Sequence, residues 1–262
     1  MNGSDFSNYH QRLQPVTDFS ITVLLWTYFT VGFVFFFSPF YFYSLFFSTN
    51  REQTFQRLNS RFYRGFFYLS RVLMPGHRWR IPPEVKNIRS SVVVCNHRSY
   101  LDSILLISLY EKHNTIVKRR LFDIPIFGKM LQWSGYIPSS ADGRYAEMMI
   151  QRIEGMAAFL AGGGNLIIFP EGTRSKTGRI GGLNKGAFKI ARRCRVPVKI
   201  LFVRNTEKMF RPGSFSFDTR GPNIISLDLI GSIDAAEVSE DEGLKEVMTQ
   251  VRSMLETENN SG

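Results

Sequence analysis

Hydrophobic and polar positions divide the chain into three regimes. Residues 1–20 are polar, with no basic leader and no cleavage motif, so no signal peptide is expected there. From Ile21 to Phe47 the chain is apolar and aromatic without one charge. That is long enough to cross a bilayer, which takes about 20 residues. Pro39, beside Ser38, predicts a kink or a helix end. Two readings are open: one tilted span, or a helical hairpin dipping into one leaflet; a buried core helix is the third. Next, Phe55, Leu58, Phe62, Phe66, Leu69 and Leu73 recur at steps of 3, 4, 4, 3 and 4, one face of a helix over residues 51–74. Arg57, Arg61, Arg64 and Arg71 mark another face. Aromatics on one side and arginines on another predict a helix lying in the headgroup region of an anionic membrane. The alternative is a helix packed on the domain with a solvated basic face. Pro75-Gly76 stops it, and Pro82-Pro83 marks the entry to the third regime.

The third regime alternates strand-like and helix-like runs. Val92–Val94 predicts a short buried strand, followed by a helix through Leu101, Ile104, Leu105 and Leu106 with Ser99 as its N-cap. Tyr145–Leu160 has a helical pattern with a methionine-rich stripe, read as core, and ends at Gly162-Gly163-Gly164. A strand at Leu166–Phe169, a helix at Ala187–Arg193 and strands at Val196–Val203 and Ile224–Ile230 come next. Ser239 with Glu242 forms a capping box for a last helix to about Glu256. The fold class is therefore α/β, a mixed, mostly parallel sheet flanked by helices, with an N-terminal membrane-embedded helical segment. The expected organisation is a polar N-terminus (1–20), a hydrophobic membrane segment (21–47), a basic amphipathic interfacial helix (48–80), a catalytic domain (81–257) and a polar tail (258–262).

Charge and composition narrow the partners. The net charge is +11, from 33 Lys and Arg against 22 Asp and Glu, which favours anionic partners. Twenty-four phenylalanines, crowded toward the first eighty residues, select lipid over nucleic acid. Between Arg51 and Arg80 stand seven arginines and one acid, Glu52. Positive-inside logic places everything after Phe47 on the cytoplasmic face, which in a bacterium is that of the inner membrane. Cys95 and Cys194 have no metal-ligand spacing and are read as plain thiols of a reducing compartment. No ligand cluster implies a metal.

The candidate chemistry sits where predicted strands end. The run Val92–Asp102 delivers His97 to a turn with Asp102 five residues on, a base and the carboxylate that orients it. About seventy residues later, Phe169-Pro170-Glu171-Gly172-Thr173-Arg174-Ser175 again comes after a hydrophobic strand and enters a turn. Asn-His-x-Ser-x-x-Asp followed at this distance by Phe-Pro-Glu-Gly-Thr-Arg-Ser resembles the glycerolipid acyltransferases, and within them the 1-acyl-glycerol-3-phosphate acyltransferases. A weaker likeness runs over roughly Arg80 to Ile233. Lys118 ahead of Pro125-Ile126-Phe127-Gly128, then Gly135-Tyr136-Ile137, resembles the family's second block. Lys185-Gly186 resembles a lysine-glycine pair at the start of a later helix.

Three departures bear on the acceptor. Arg120 stands where the family usually has an acid. Ser139–Asp142 replaces an expected arginine associated with the acceptor's phosphate, leaving Arg144, Lys118 or Arg119 to fill that role. Ile200 stands where a second proline is usual.

The resemblance implies acyl transfer from acyl-CoA or acyl carrier protein to the free hydroxyl of 1-acyl-sn-glycerol 3-phosphate, giving phosphatidic acid, with no cofactor. His97 is the expected base and Asp102 its support. Arg174 is the expected phosphate clamp, with Glu171, Gly172 and Thr173 shaping the acceptor site and Lys118 and Lys185 as further substrate contacts. No Gly-x-Ser-x-Gly elbow is present, so the acceptor hydroxyl attacks the donor directly. The oxyanion would be met by backbone N–H groups or a polar side chain near the histidine turn. The expected partners are a lysophospholipid, the thioester donor and an anionic membrane, with no nucleic acid. The same transfer to another acceptor, such as a lyso-aminolipid, is the alternative. A non-catalytic membrane-remodelling protein on the same fold is a further one, and a hydrolase would show itself by releasing free fatty acid without acceptor.

Overall fold

A computed structural model describes residues 3–140, 143–175, 177–234 and 241–261. In chain order, helix α1 (Gly3–Thr27) runs through a π-helical stretch (Tyr28–Phe37) into α2 (Ser38–Phe47), and α3 (Arg51–Leu73) turns back along it. Then come β1 (His77–Arg80), α4 (Pro83–Lys86), β2 (Ser91–Cys95), α5 (Tyr100–Leu109) and β3 (His113–Val117). A 3-10 turn (Arg119–Asp123) leads to α6 (Phe127–Trp133), β4 (Ile137–Pro138), α7 (Ala146–Glu154) and α8 (Met156–Ala161). The chain ends with β5 (Asn165–Ile168), α9 (Gly186–Cys194), β6 (Val198–Arg204), α10 (Thr206–Met209), β7 (Asn223–Ile233) and α11 (Asp241–Asn260).

The strands form one seven-stranded sheet in the order β1-β7-β6-β2-β5-β3-β4. Every neighbouring pair is parallel except β6 with β7. The expected mixed, mostly parallel sheet is present. Its centre is β2, whose residues are all buried, as a β-branched run covered on both faces requires. Ile200 is buried in β6 opposite Val94 of β2, and Gly231 of β7 faces it from the other side. A proline in this interior strand would remove a ladder N–H.

Several boundaries differ from the sequence reading. β1 pairs with β7, so residues 77–80 belong to the catalytic sheet and not to an interfacial segment. Its alternating His-Arg-Trp-Arg pattern and four-residue length hid it, and β3 and β4 were equally short of signal. Gly155 divides the expected helix 145–160 into α7 and α8. The polar tail is not free: α11 continues to Asn260, with Glu258 pairing with Arg204 and Asn259 accepting from Arg98. The Ser239–Glu242 capping box lies outside the described residues.

The N-terminal layer also departs from expectation. Pro39 causes no break: the helix continues past it, and Pro39 comes directly after the π-helical stretch, where the Ser38 N–H already reaches five residues back to the Phe33 carbonyl. The apolar face of α3 does not face lipid. Phe62 stacks on Tyr28 at 5.1 Å and meets Phe29, Phe33 and Phe37 edge-on, while Phe55 packs against Tyr41 and Trp133. Tyr41 donates to Asn59 at 2.6 Å, and Tyr28 to the Phe62 carbonyl at 2.7 Å. The helix packed on the domain is the reading that holds, with Arg57, Arg61, Arg64 and Arg71 left exposed along its edge. Along residues 14–47, Val31, Val34, Phe35, Phe36, Phe40 and Phe46 are exposed. Gln14–Phe47 is helical, long enough and apolar enough to cross a membrane.

Candidate functional site

The site forms at the carboxyl end of the central strand, the usual ligand position in an α/β sheet. Asn96 holds the strand end: its side chain donates to the Val203 carbonyl at 2.9 Å and accepts from the Val203 N–H at 2.7 Å. The next residue, His97, is therefore aimed by two strands at once. Ser99 caps α5, accepting from the Leu101 N–H and donating to the Phe210 carbonyl at 2.8 Å. That cap brings Asp102, in the first helical turn, back toward the histidine.

His97 Nδ1 lies 3.0 Å from Asp102 Oδ2, with 14% of the histidine side chain and none of the aspartate exposed. The carboxylate is saturated. Oδ2 also accepts from the backbone N–H of Arg98 (2.6 Å) and Ser99 (2.7 Å), and Oδ1 accepts from the Thr206 hydroxyl (2.5 Å). An acceptor at Nδ1 fixes the neutral imidazole as the Nδ1–H tautomer and leaves the Nε2 lone pair as the basic position. Phe169 stacks on the ring at 4.2 Å, restricting its rotation. Cys95, directly before the turn, is fully buried; burial, with the Asp102 charge adding, pushes its thiol well above the usual range. It is no nucleophile.

The second turn docks on the first. Glu171 Oε1 accepts from the His97 N–H at 3.1 Å, and its Oε2 accepts from the Gly181 N–H at 2.9 Å. Ser175 N–H donates to the His97 carbonyl at 2.9 Å. Glu171 thus ties its own turn to the backbone at His97 and at Gly181. Gly172 has φ +68°, the left-handed conformation that turns the chain, and is exposed beside Thr173. Arg174 lays its guanidinium 3.3 Å from the centre of the Tyr100 ring, and its Nη1 is buried without a hydrogen-bond partner. A guanidinium nitrogen buried without a partner has hydrogen-bonding capacity left for an anion.

Of the remaining expected contacts, Lys185 follows Asn184, whose N–H donates to the Pro170 carbonyl at 2.8 Å. Lys118 is exposed at the end of β3, two strands from β2, and Lys185 is exposed ahead of α9. Arg144 pairs with Asp123, whose carboxyl it holds below the usual range together with the Tyr145 hydroxyl, so it is already engaged. Arg119 buries an Nε that has no hydrogen-bond partner. The histidine turn has no N–H to offer an oxyanion: those of His97, Arg98 and Ser99 are taken by Glu171 and Asp102. Among the described residues no three His, Cys, Asp or Glu side chains gather as metal ligands.

Thr206 and the fixing of Arg98 escaped the sequence reading. Arg98 donates to Glu207 and to Asn259, tying the turn to α10 and to the last turn of α11. Thr206 is 104 positions from Asp102, and nothing local marks it.

Residues 80–202 match the family model described as Acyltransferase. A chloroplastic 1-acyl-sn-glycerol-3-phosphate acyltransferase of Brassica napus is 36% identical over 135 residues, 50% of this chain and 38% of that protein. The 1-acyl-sn-glycerol-3-phosphate acyltransferase of Salmonella typhimurium is 22% identical over 179 residues, 68% of this chain and 70% of that one. The chain thus spans less than two fifths of the length of the plant relative. In fold it is similar to the crystal structure of the 1-acyl-sn-glycerophosphate (LPA) acyltransferase, PlsC, from Thermotoga maritima, with a TM-score of 0.70 and 20% identity over 95% of this chain and 97% of that one.

Proposed function

We propose, from the match of residues 80–202 to the Acyltransferase family model, that the chain moves a fatty acyl group from a thioester to the free hydroxyl of 1-acyl-sn-glycerol 3-phosphate. The observation that carries this reading is the Asp102–His97 pair at 3.0 Å, together with Arg174, whose Nη1 is buried without a partner on the turn that Ser175 ties to the His97 carbonyl. The acceptor's phosphate pairs with Arg174, with Arg119 as the second cation, and this holds the hydroxyl near Nε2. Nε2 takes the hydroxyl proton as the oxygen attacks the thioester carbonyl, and the Asp102 charge stabilises the imidazolium that forms. Collapse of the tetrahedral intermediate breaks the C–S bond, and His97 returns its proton to the departing thiolate. With the N–H groups of the histidine turn occupied, we assign oxyanion stabilisation to the Gly172–Arg174 turn.

The donor is acyl-CoA or acyl carrier protein, both polyanions suited to the net positive charge. Residues 14–47 associate with the membrane. Thr22, Leu25, Tyr41 and Ser44 along that length are buried against the protein. A helix sheathed by its own domain along one flank lies along one leaflet more readily than it crosses two. The exposed arginines of α3 then sit beside anionic headgroups on the cytoplasmic face.

A second acceptor class is favoured by one observation: the pairing of Arg144 with Asp123 removes a phosphate contact that the family places near this position. The test is acyl transfer by purified, detergent-solubilised protein from labelled acyl-CoA and acyl carrier protein. Acceptors are 1-acyl-glycerol-3-phosphate, its phosphate-free analogue and a lyso-aminolipid, with His97→Ala as control. Phosphatidic acid formed only with the phosphate and only with His97 supports the proposal. Transfer to the other lysolipids alone would replace the acceptor and keep the chemistry. Folded protein that transfers to none would return the non-catalytic reading.

A further inference from the structure

An apolar tip projects between the 3-10 turn and α6. Ile124, Ile126 and Phe127 are all exposed there, Ile126 by 77%. Ile126 has φ +64° and ψ −59°, and the Phe127 N–H donates to the Pro125 carbonyl at 2.7 Å. This is a γ-turn of the rare, strained hand, centred on a β-branched residue. The tip is firmly built. Gly128 donates to the Ile124 carbonyl at 2.8 Å and Met130 to that of Ile126 at 3.0 Å. Gly128 also sits so close to Phe122 that a Cβ would come within 2.1 Å of its carbonyl oxygen.

Holding an isoleucine outward in a strained turn gains nothing inside the chain, so the compensating burial lies outside it. The direction is set by α6. Its Met130 and Trp133 pack into the cluster of Tyr41, Phe55, Phe33 and Phe37, which joins this helix to the layer formed by residues 14–47. Arg120 and Lys129 are exposed on either side of the tip, while the one acid beside it, Asp123, is paired with Arg144.

We infer that the Ile124–Phe127 tip is a second membrane contact, seated at the headgroup–acyl boundary of an anionic bilayer. The inference rests on the membrane association of residues 14–47. Two contacts at separate points along the layer would fix how the catalytic end is tilted toward the lipid, which one helix free to roll about its axis does not.

The test places an environment-sensitive fluorophore on Ile126→Cys in a full-length Cys194→Ser chain, Cys95 being buried. A parallel label goes on Phe36→Cys in the exposed face of the N-terminal segment, and another on Lys189→Cys in α9 as an aqueous reference. Each protein is reconstituted into vesicles of phosphatidylcholine and phosphatidylglycerol carrying nitroxide-labelled acyl chains. The expected result is quenching at positions 126 and 36 and none at 189, with Ile124→Cys repeating the result at 126. Quenching at 36 but not at 126 or 124 overturns the inference and leaves the N-terminal contact standing. No quenching at 36 overturns the membrane reading beneath it. A label at 126 that responds to a soluble acyl thioester and not to vesicles assigns the tip to the substrate's acyl chain and also overturns the inference.

Discussion

Replacing Asp102 by asparagine separates the charge of the carboxylate from its geometry. Three donors converge on Oδ2 (His97 Nδ1, Arg98 N–H and Ser99 N–H), and one, the Thr206 hydroxyl, reaches Oδ1. In Asp102→Asn the amide must keep its oxygen toward the three N–H groups and turn its NH2 toward Thr206. A threonine hydroxyl can accept as well as donate, so the swap is accommodated and His97 keeps its proton on Nδ1. Only the negative charge is lost. At a charge separation of ~4 Å and an effective dielectric of ~20 the imidazolium–carboxylate attraction is about 4 kcal/mol. At 1.36 kcal/mol per decade this predicts a fall in kcat of roughly 10²- to 10³-fold, with the acceptor KM little changed. Where such a substitution flips the histidine tautomer the loss is about 10⁴-fold. The assay is the initial rate at saturating thioester and acceptor, with His97→Ala as the floor and urea denaturation as the check on folding. Activity within about threefold of the parent would show that the charge is not used. A fall to the His97→Ala floor with unchanged stability would show that the tautomer is not held as this geometry requires.

Three further outcomes are expected. Arg174→Lys loses both the stack on Tyr100 and the planar fork, so the KM for the phosphorylated acceptor should rise about tenfold or more while transfer to a phosphate-free acceptor is unaffected; equal losses on both acceptors would remove Arg174 from phosphate binding. His113, fully buried between the Tyr110 carbonyl and the Tyr136 hydroxyl, has its pKa lowered to about 4 by burial, against an ordinary 6.5. Its neutral form is the folded one, so stability is complete above pH 6.5 and is lost as pH falls toward 4. From high pH down to pH 5 the cost is about 2 kcal/mol, and urea midpoints should fall further for the parent than for His113→Gln, in which the lowered pKa of His77 still acts. Deleting residues 258–262 removes the Glu258 and Asn259 contacts to Arg204 and Arg98, and kcat should drop severalfold because the Arg98 N–H helps to hold Asp102; unchanged kinetics in the truncated chain would make those contacts incidental.

What could be read along the chain was whatever is encoded locally. The β-branched run of β2, the Ser99 cap, the His97–Asp102 spacing and the periodic face of α3 each announce themselves within a dozen residues, because strand burial, helix capping and helical repeat are short-range demands. The reaction class came from two such stretches. What filled the face of α3 could not be read, since a row of phenylalanines serves lipid and protein equally; only the packing of Tyr28, Phe29 and Tyr41 against it decided for protein. The partners of Glu171 and Arg144 were decided the same way. Glu171 is consumed by two backbone N–H groups and Arg144 by Asp123, while Arg174 with the same charge as Arg144 is left unpaired. Thr206 and Asn259 reach the catalytic turn from 104 and 161 positions away from their partners. Sequence carries the identity of a charge, but its availability depends on which neighbours the fold has already paired with it, and that is a property of three-dimensional proximity alone.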